Sequence, residues 1–117
     1  MPMAIGVLTL ELSIPIEETI KERRNVIRSI KDMVRKKFNV SIADVTEGTE
    51  ITNRARVAIV AVSGDTSHLQ SVLSNVQNLV ETFYSEMILS AKTDFLMYEN
   101  LQQDAPIESN WDAGFRK

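Results

Sequence analysis

The chain has 117 residues, no cysteine, and 16 acidic against 13 basic residues, for a formal net charge of −3. This length predicts one domain, and the lack of cysteine excludes disulfides, thiolate catalysis and cysteine-based zinc sites. No apolar run approaches the roughly 18 residues that a membrane-spanning helix needs. The N-terminus shows no basic segment followed by a signal cleavage site. We therefore expect a soluble cytoplasmic protein.

Hydrophobic periodicity divides the chain into six elements and a tail. The predicted strands, rich in β-branched and apolar residues, are 4–13, 40–45, 54–63 and 86–98. Apolar residues at helical spacing predict helices over about 17–38 and 66–83. The order β-α-β-β-α-β predicts an α+β, ferredoxin-like sandwich: a four-stranded antiparallel sheet with two helices on one face. Residues 1–98 make this domain, and 99–117 form a C-terminal tail of loop composition.

The two central strands of this predicted sheet are apolar on both faces. "AIGVLTL" and "VAIVAV" have apolar residues at both odd and even positions. A sheet with helices on one face usually has a polar second face, so something should cover the open face. We expect a homo-oligomer that pairs through this face. The alternative cover is the tail, whose Trp111 and Phe115 would dock on the sheet or on a neighbour.

Three segments resemble the YlxP-like family of small bacterial proteins. They are "AIGVLTLELSIP", "IKERRNVIRSIKDMVRKKFNVSIADV" and "NRARVAIVAVSGDTSHLQSVL", and the resemblance runs over about residues 3–96. It implies a ferredoxin-like fold and an association with translation, since genes of this family often lie near those for translation initiation and ribosome-maturation factors. It implies no activity. The chain has "ITNRA" at 51–55, where family members commonly carry an aromatic residue.

Positive charge is concentrated in the first predicted helix. Residues 20–38 hold eight of the 13 Lys and Arg residues and two acidic residues, so the segment carries +6 (8 − 2). At 3.6 residues per turn, five of these cations fall within an arc of about 80° beside the apolar face. We call this set the basic stripe: Lys21, Arg24, Arg28, Lys31 and Arg35.

A line of cations at this spacing suits a polyanionic backbone, because Lys and Arg displace the condensed counterions. RNA-recognition sheets stack bases on aromatic residues of their central strands, and the first and third strands here have none. We therefore expect ribosomal or precursor ribosomal RNA to bind the basic stripe together with Lys36 and Lys37. The ribosomal part of this expectation comes from the family resemblance.

Three other interpretations of the stripe stay open. It could be a solvated helix face, or a surface for the acidic residues of the tail, Asp104, Glu108 and Asp112. It could also dock an acidic protein, in which case the chain is a homo-oligomeric interaction module. Arg23 falls inside the apolar arc of the same helix, where a cation must pair or reach solvent, and Glu11 is a candidate partner.

The single histidine follows a helix-start motif, "SGDTSH". Asp65 or Thr66 is expected to cap this helix, and the N–H groups of Asp65, Thr66, Ser67 and His68 form a candidate anion site. The alternative is a capped helix without a ligand. The chain lacks a glycine-rich phosphate loop and a nucleophile elbow, and no pairing makes His68 a general base. We expect no catalytic residue, cofactor or metal; an enzyme using His68 would need convergent polar groups around it.

Overall fold

The computed structural model describes residues 3–15, 20–47 and 53–98. The elements in these ranges are β1 (Met3–Ser13), α1 (Ile20–Lys37), β2 (Ser41–Asp44), β3 (Arg54–Ser63), α2 (Thr66–Tyr84), a 3₁₀ turn (Ser85–Met87) and β4 (Ile88–Tyr98). The predicted βαββαβ order is confirmed. None of the helices in the described part of the chain is long and apolar enough to cross a membrane.

The four strands form one sheet in the order β2-β3-β1-β4, and every neighbouring pair is antiparallel. β1 and β3 lie in the centre, while β2 and β4 are the two edges. β1 alternates strictly between buried and partly exposed residues, as expected for a strand with helices on one side only. The ferredoxin-like fold is therefore confirmed.

One core joins the helices to the inner face of the sheet. α1 contributes Ile27, Ile30 and Val34, and α2 contributes a stripe at the same helical spacing. The fully buried side chains of the strands include Leu8, Leu10, Leu12, Val57 and Ile59. Burial of each such side chain is worth about 1.5–3 kcal/mol. Both helices are thus fixed on the same side, and the polar face of α1 points away from the core.

Gly6 allows α2 to pack closely against β1. A Cβ atom at this position would lie 2.6 Å from Cδ1 of Leu73 and 3.2 Å from Cγ of Leu69. These side chains are almost completely buried, so they have little room to move aside. The glycine is needed here for the close approach of the helix.

The open face of the sheet has an apolar half and a polar half. The apolar half consists of Ile5, Val7, Val60, Val62 and Leu96. Val62 is 61% exposed and Leu96 is 55% exposed, so the described residues leave this half uncovered. Self-association through the open face stays a prediction. The tail that was the alternative cover lies outside the described residues.

Candidate nucleic-acid interface

The basic stripe lies on the solvent side of α1. Four of its members are exposed, and Lys31 is half-buried. From Lys21 to Arg35 the helix advances by about 21 Å at 1.5 Å per residue. The helix therefore presents a straight row of cations, with Lys36 and Lys37 exposed at its C-terminal end.

Arg35 connects the stripe to the edge of the sheet. Its Nη2 donates a hydrogen bond to the backbone carbonyl of Ile42 in β2, at 3.3 Å. A guanidinium has five N–H donors, so this bond leaves donors for a phosphate. The C-terminal end of the stripe is consequently fixed beside β2.

Asp32 is the acidic residue in the middle of α1. It is exposed, and it makes no salt bridge with any described residue. The salt bridge that the structure shows joins Glu11 and Arg56 across the open face. Within the described residues, Asp32 therefore holds none of the stripe side chains in a salt bridge.

Arg23 is half-buried, and its Nε atom has no hydrogen-bond partner among the described residues. The candidate pairing with Glu11 is wrong. Glu11 lies directly opposite Arg56 in the β1–β3 register and bonds to it there. The two side chains lie on opposite sides of the sheet, because Glu11 projects from the open face and α1, which carries Arg23, packs on the other face.

The start of α2 is capped by its own chain. Asp65 is the N-cap, and its carboxylate accepts hydrogen bonds from the N–H groups of Ser67 (2.9 Å) and His68 (3.3 Å). The N–H of Leu69 bonds to the carbonyl of Asp65 at 3.0 Å. The N–H groups of Ser67 and His68 are donors that an external anion would use, so the carboxylate of Asp65 competes with any ligand there.

Side chains from the two predicted sites meet near this cap. Lys37, Asn39, Ser63 and His68 line one shallow depression between the end of α1 and the start of α2. The anion site predicted at residues 65–68 stays a prediction. Among the described residues, no three His, Cys, Asp or Glu side chains group closely enough to hold a metal ion.

The arrangement of charged residues on the open face and on β4 was not visible in the sequence. Arg56 lies opposite Glu11, and Lys92 and Asp94 project from the same face of the edge strand. The alternation of residues along β4 indicates part of this arrangement, since the side chains at its even positions face away from the helices. The strand order and register were needed to place these residues next to one another.

The fold and the site define a ferredoxin-like α+β domain with a basic helix on its outer layer. Residues 5–93 match the family model described as "Protein of unknown function (DUF503)", and the chain belongs to this family. None of the curated proteins compared with the chain matches it.

Several solved structures share the fold at low sequence identity. A dimeric protein of unknown function and ferredoxin-like fold from Bacteroides fragilis NCTC 9343 is 10% identical, with a TM-score of 0.53, over 82% of this chain and 96% of that one. A C-terminal segment of the alpha subunit of aIF2 from Pyrococcus abyssi is 16% identical, with a TM-score of 0.46, over 81% of this chain. The match spans about half of that segment (51%). At these identities the likeness shows the fold alone.

Proposed function

We propose that the chain is a non-enzymatic, cytoplasmic factor that binds structured RNA through the basic stripe and through Lys36 and Lys37. The observation that carries this proposal is the row of cations on the solvent side of α1, in a segment with a net charge of +6. Ribosomal RNA or its precursor is the proposed partner. The resemblance to YlxP-like proteins, with their genes near those for translation and ribosome-maturation factors, supports that choice.

The charge distribution favours one orientation of the protein on the RNA. Residues 20–38 carry +6 and the whole chain carries −3, so the rest of the chain carries −9 (−3 − 6). A polyanion is attracted to the segment that carries the positive charge. An orientation that places α1 against the RNA is therefore the favoured one.

Binding of this kind contacts phosphates and carries little base sequence information. Five contacts would give a slope of log affinity against log salt of roughly −3.5 to −4.5, because each phosphate contributes about −0.7 to −0.9. RNAs of one shape and different sequences should therefore bind about equally well.

The second candidate function is the docking of an acidic protein on the same helix by a homo-oligomeric module. The exposed Val62 and Leu96 on the open face support the oligomer part of this candidate. Salt weakens both kinds of complex, since both are electrostatic. Competition with bulk RNA separates the two, because it removes the protein from an RNA site and spares a shaped protein interface.

Co-sedimentation with ribosomal subunits from a lysate tests the proposal, at low salt and at roughly fourfold higher salt. The variant K21Q/R24Q/R28Q removes three charges from the stripe. The matched control Q70E/S74E/N78E changes the net charge equally at exposed positions of α2. We expect the wild type and the control to travel with the subunits at low salt and the stripe variant to stay behind. Equal behaviour of the two variants would refute a role for the stripe.

A further inference from the structure

The two edges of the sheet differ in how well they are protected. β2 has four residues, and Arg35 covers one of its outward carbonyls, that of Ile42. β4 has 11 residues and is a full-length edge. A long edge strand with unpaired backbone groups is a template for another strand, and proteins usually protect such edges or use them.

The hydrogen-bond pattern identifies which residues of β4 point outward. The N–H of Val45 bonds to the carbonyl of Arg56, and the N–H of Ile14 bonds to the carbonyl of Asn53. In antiparallel pairs, residues alternate between bonding to one neighbour and to the other. In β3 the even residues therefore bond to β2 and the odd residues to β1, so in β1 the odd residues are left to bond to β4. Their partners in β4 are the even residues, whose N–H and C=O groups point towards β1. The odd residues therefore point their N–H and C=O groups away from the sheet.

The residues whose backbone N–H and C=O groups point away from the sheet are Ala91, Thr93, Phe95 and Met97. The described residues form no hydrogen bond with these backbone groups from the outer side. No proline interrupts β4, and none of the four side chains is charged. Within the part of the chain that the structure describes, residues 91–97 of this edge therefore offer a regular row of backbone donors and acceptors without partners.

We propose that β4 pairs with β4 of a second copy of the chain in an antiparallel arrangement, with Thr93 on the two-fold axis. Thr93 then faces Thr93 of the partner as a hydrogen-bonded pair. Ala91 faces Phe95 of the partner, and each pair forms two N–H···O=C bonds. The result is a continuous eight-stranded sheet.

Charge favours this register, because it is the one that places Lys92 opposite Asp94. With Thr93 on the axis, Lys92 lies opposite Asp94 of the partner, and the pair occurs twice by symmetry. An axis at Lys92 or at Asp94 would place two like charges directly opposite, which is unfavourable. Within one chain, Lys92 faces Thr9 and Asp94 faces Val7, and neither forms a salt bridge with a described residue.

The apolar side chains fit the same register. The β1–β4 register shifts at Leu89, which has no partner residue in β1, so the regular pairing with the second copy is confined to residues 90–96. The small Ala91 lies opposite the large Phe95, so the two side chains do not compete for space. Opposite-charge and apolar cross-strand pairs each contribute roughly 0.2–1 kcal/mol relative to an alanine pair.

The axis is perpendicular to the sheet, so the helices of both copies lie on the same side. β2 is the strand farthest from β4 in each copy, and α1 with its stripe stays accessible. This inference is independent of RNA binding. It also uses a different surface from the open face, so the two modes of self-association can be separated by experiment.

Charge exchange tests the register. K92D places Asp opposite Asp94, and D94K places Lys opposite Lys92, whereas K92D/D94K restores opposite charges at both positions. By sedimentation equilibrium, we expect each single variant to raise the dimer dissociation constant about tenfold or more, and the double variant to return close to wild type. A wild type that is monomeric, or a double variant no tighter than the singles, would overturn the proposal.

Cysteine cross-linking tests the axis, because the chain has no cysteine of its own. Cα atoms of a hydrogen-bonded pair are about 5.5 Å apart, within the range of a disulfide. We expect T93C to form a disulfide-linked dimer under mild oxidation and V62C, on the open face, to stay monomeric. The reverse result would show an open-face dimer and reject the β4 pairing. If neither variant cross-links and the wild type is monomeric, the second copy does not bind.

Discussion

The guanidinium of Arg35 donates a hydrogen bond to the backbone carbonyl of Ile42, 3.3 Å away. The bond joins the basic helix to the edge strand β2, and the carbonyl concerned is one that no neighbouring strand can use. One residue therefore belongs both to the candidate RNA surface and to the stability of the fold. The other exposed members of the stripe, such as Arg24 and Arg28, have no such bond among the described residues.

Substitution of Arg35 should therefore cost stability, unlike substitution of its neighbour. We expect R35A to lower the free energy of unfolding by about 0.5–1.5 kcal/mol, the net worth of one hydrogen bond. K36A removes the same charge from an exposed position and should change stability by less than about 0.5 kcal/mol. Urea unfolding of both variants measures the difference. Equal midpoints would mean that the bond to Ile42 contributes nothing.

The close approach at Gly6 gives a second stability prediction. We expect G6A to destabilise the protein by about 1–3 kcal/mol, because the new methyl group overlaps Cδ1 of Leu73 in a tightly packed core. L73V removes that atom, so G6A should cost less in the L73V background than in the wild type. A double-mutant cycle from urea unfolding measures this coupling. An additive cycle would show that the overlap is not the cause.

The cap of α2 is a third point where a single side chain matters. D65A leaves the N–H groups of Ser67 and His68 without their acceptor, and we expect it to cost about 0.5–2 kcal/mol. D65N and D65S keep an oxygen acceptor and should stay close to wild type. Thermal unfolding of the three variants provides the comparison. A loss for D65N as large as that for D65A would point to the charge rather than to the cap.

Local patterns predicted the elements well, since the period of apolar residues is a property of short segments. β3 has the same bounds in the sequence analysis and in the structure, Arg54–Ser63, and Asp65 is one of the two residues expected as the cap. The amphipathic character of α1 was also visible, because buried Ile27, Ile30 and Val34 recur at helical spacing. The start of α1 before Ile20 lies outside the described residues.

Pairings between distant residues could not be predicted in the same way. The sequence offers Glu11 as a candidate partner of Arg23, and in the structure Glu11 bonds instead to Arg56, 45 positions away in the chain. That partner depends on the β1–β3 register, which a single strand does not reveal. The outward direction of the odd residues of β4 likewise follows only from hydrogen bonds traced across three strand pairs.

The contribution of each stripe residue to RNA affinity should be visible in the slope of log affinity against log salt. Each of K21Q, R24Q and R28Q should weaken binding equally for different RNA sequences and reduce the salt slope by about 0.7–0.9, since each removes one phosphate contact. R54Q, at an exposed position of β3, should leave the slope unchanged. Binding to a fixed structured RNA, titrated over a series of salt concentrations, gives both quantities. A slope that does not change in the stripe variants would mean that these cations do not meet phosphates, and an acidic protein would then become the favoured partner.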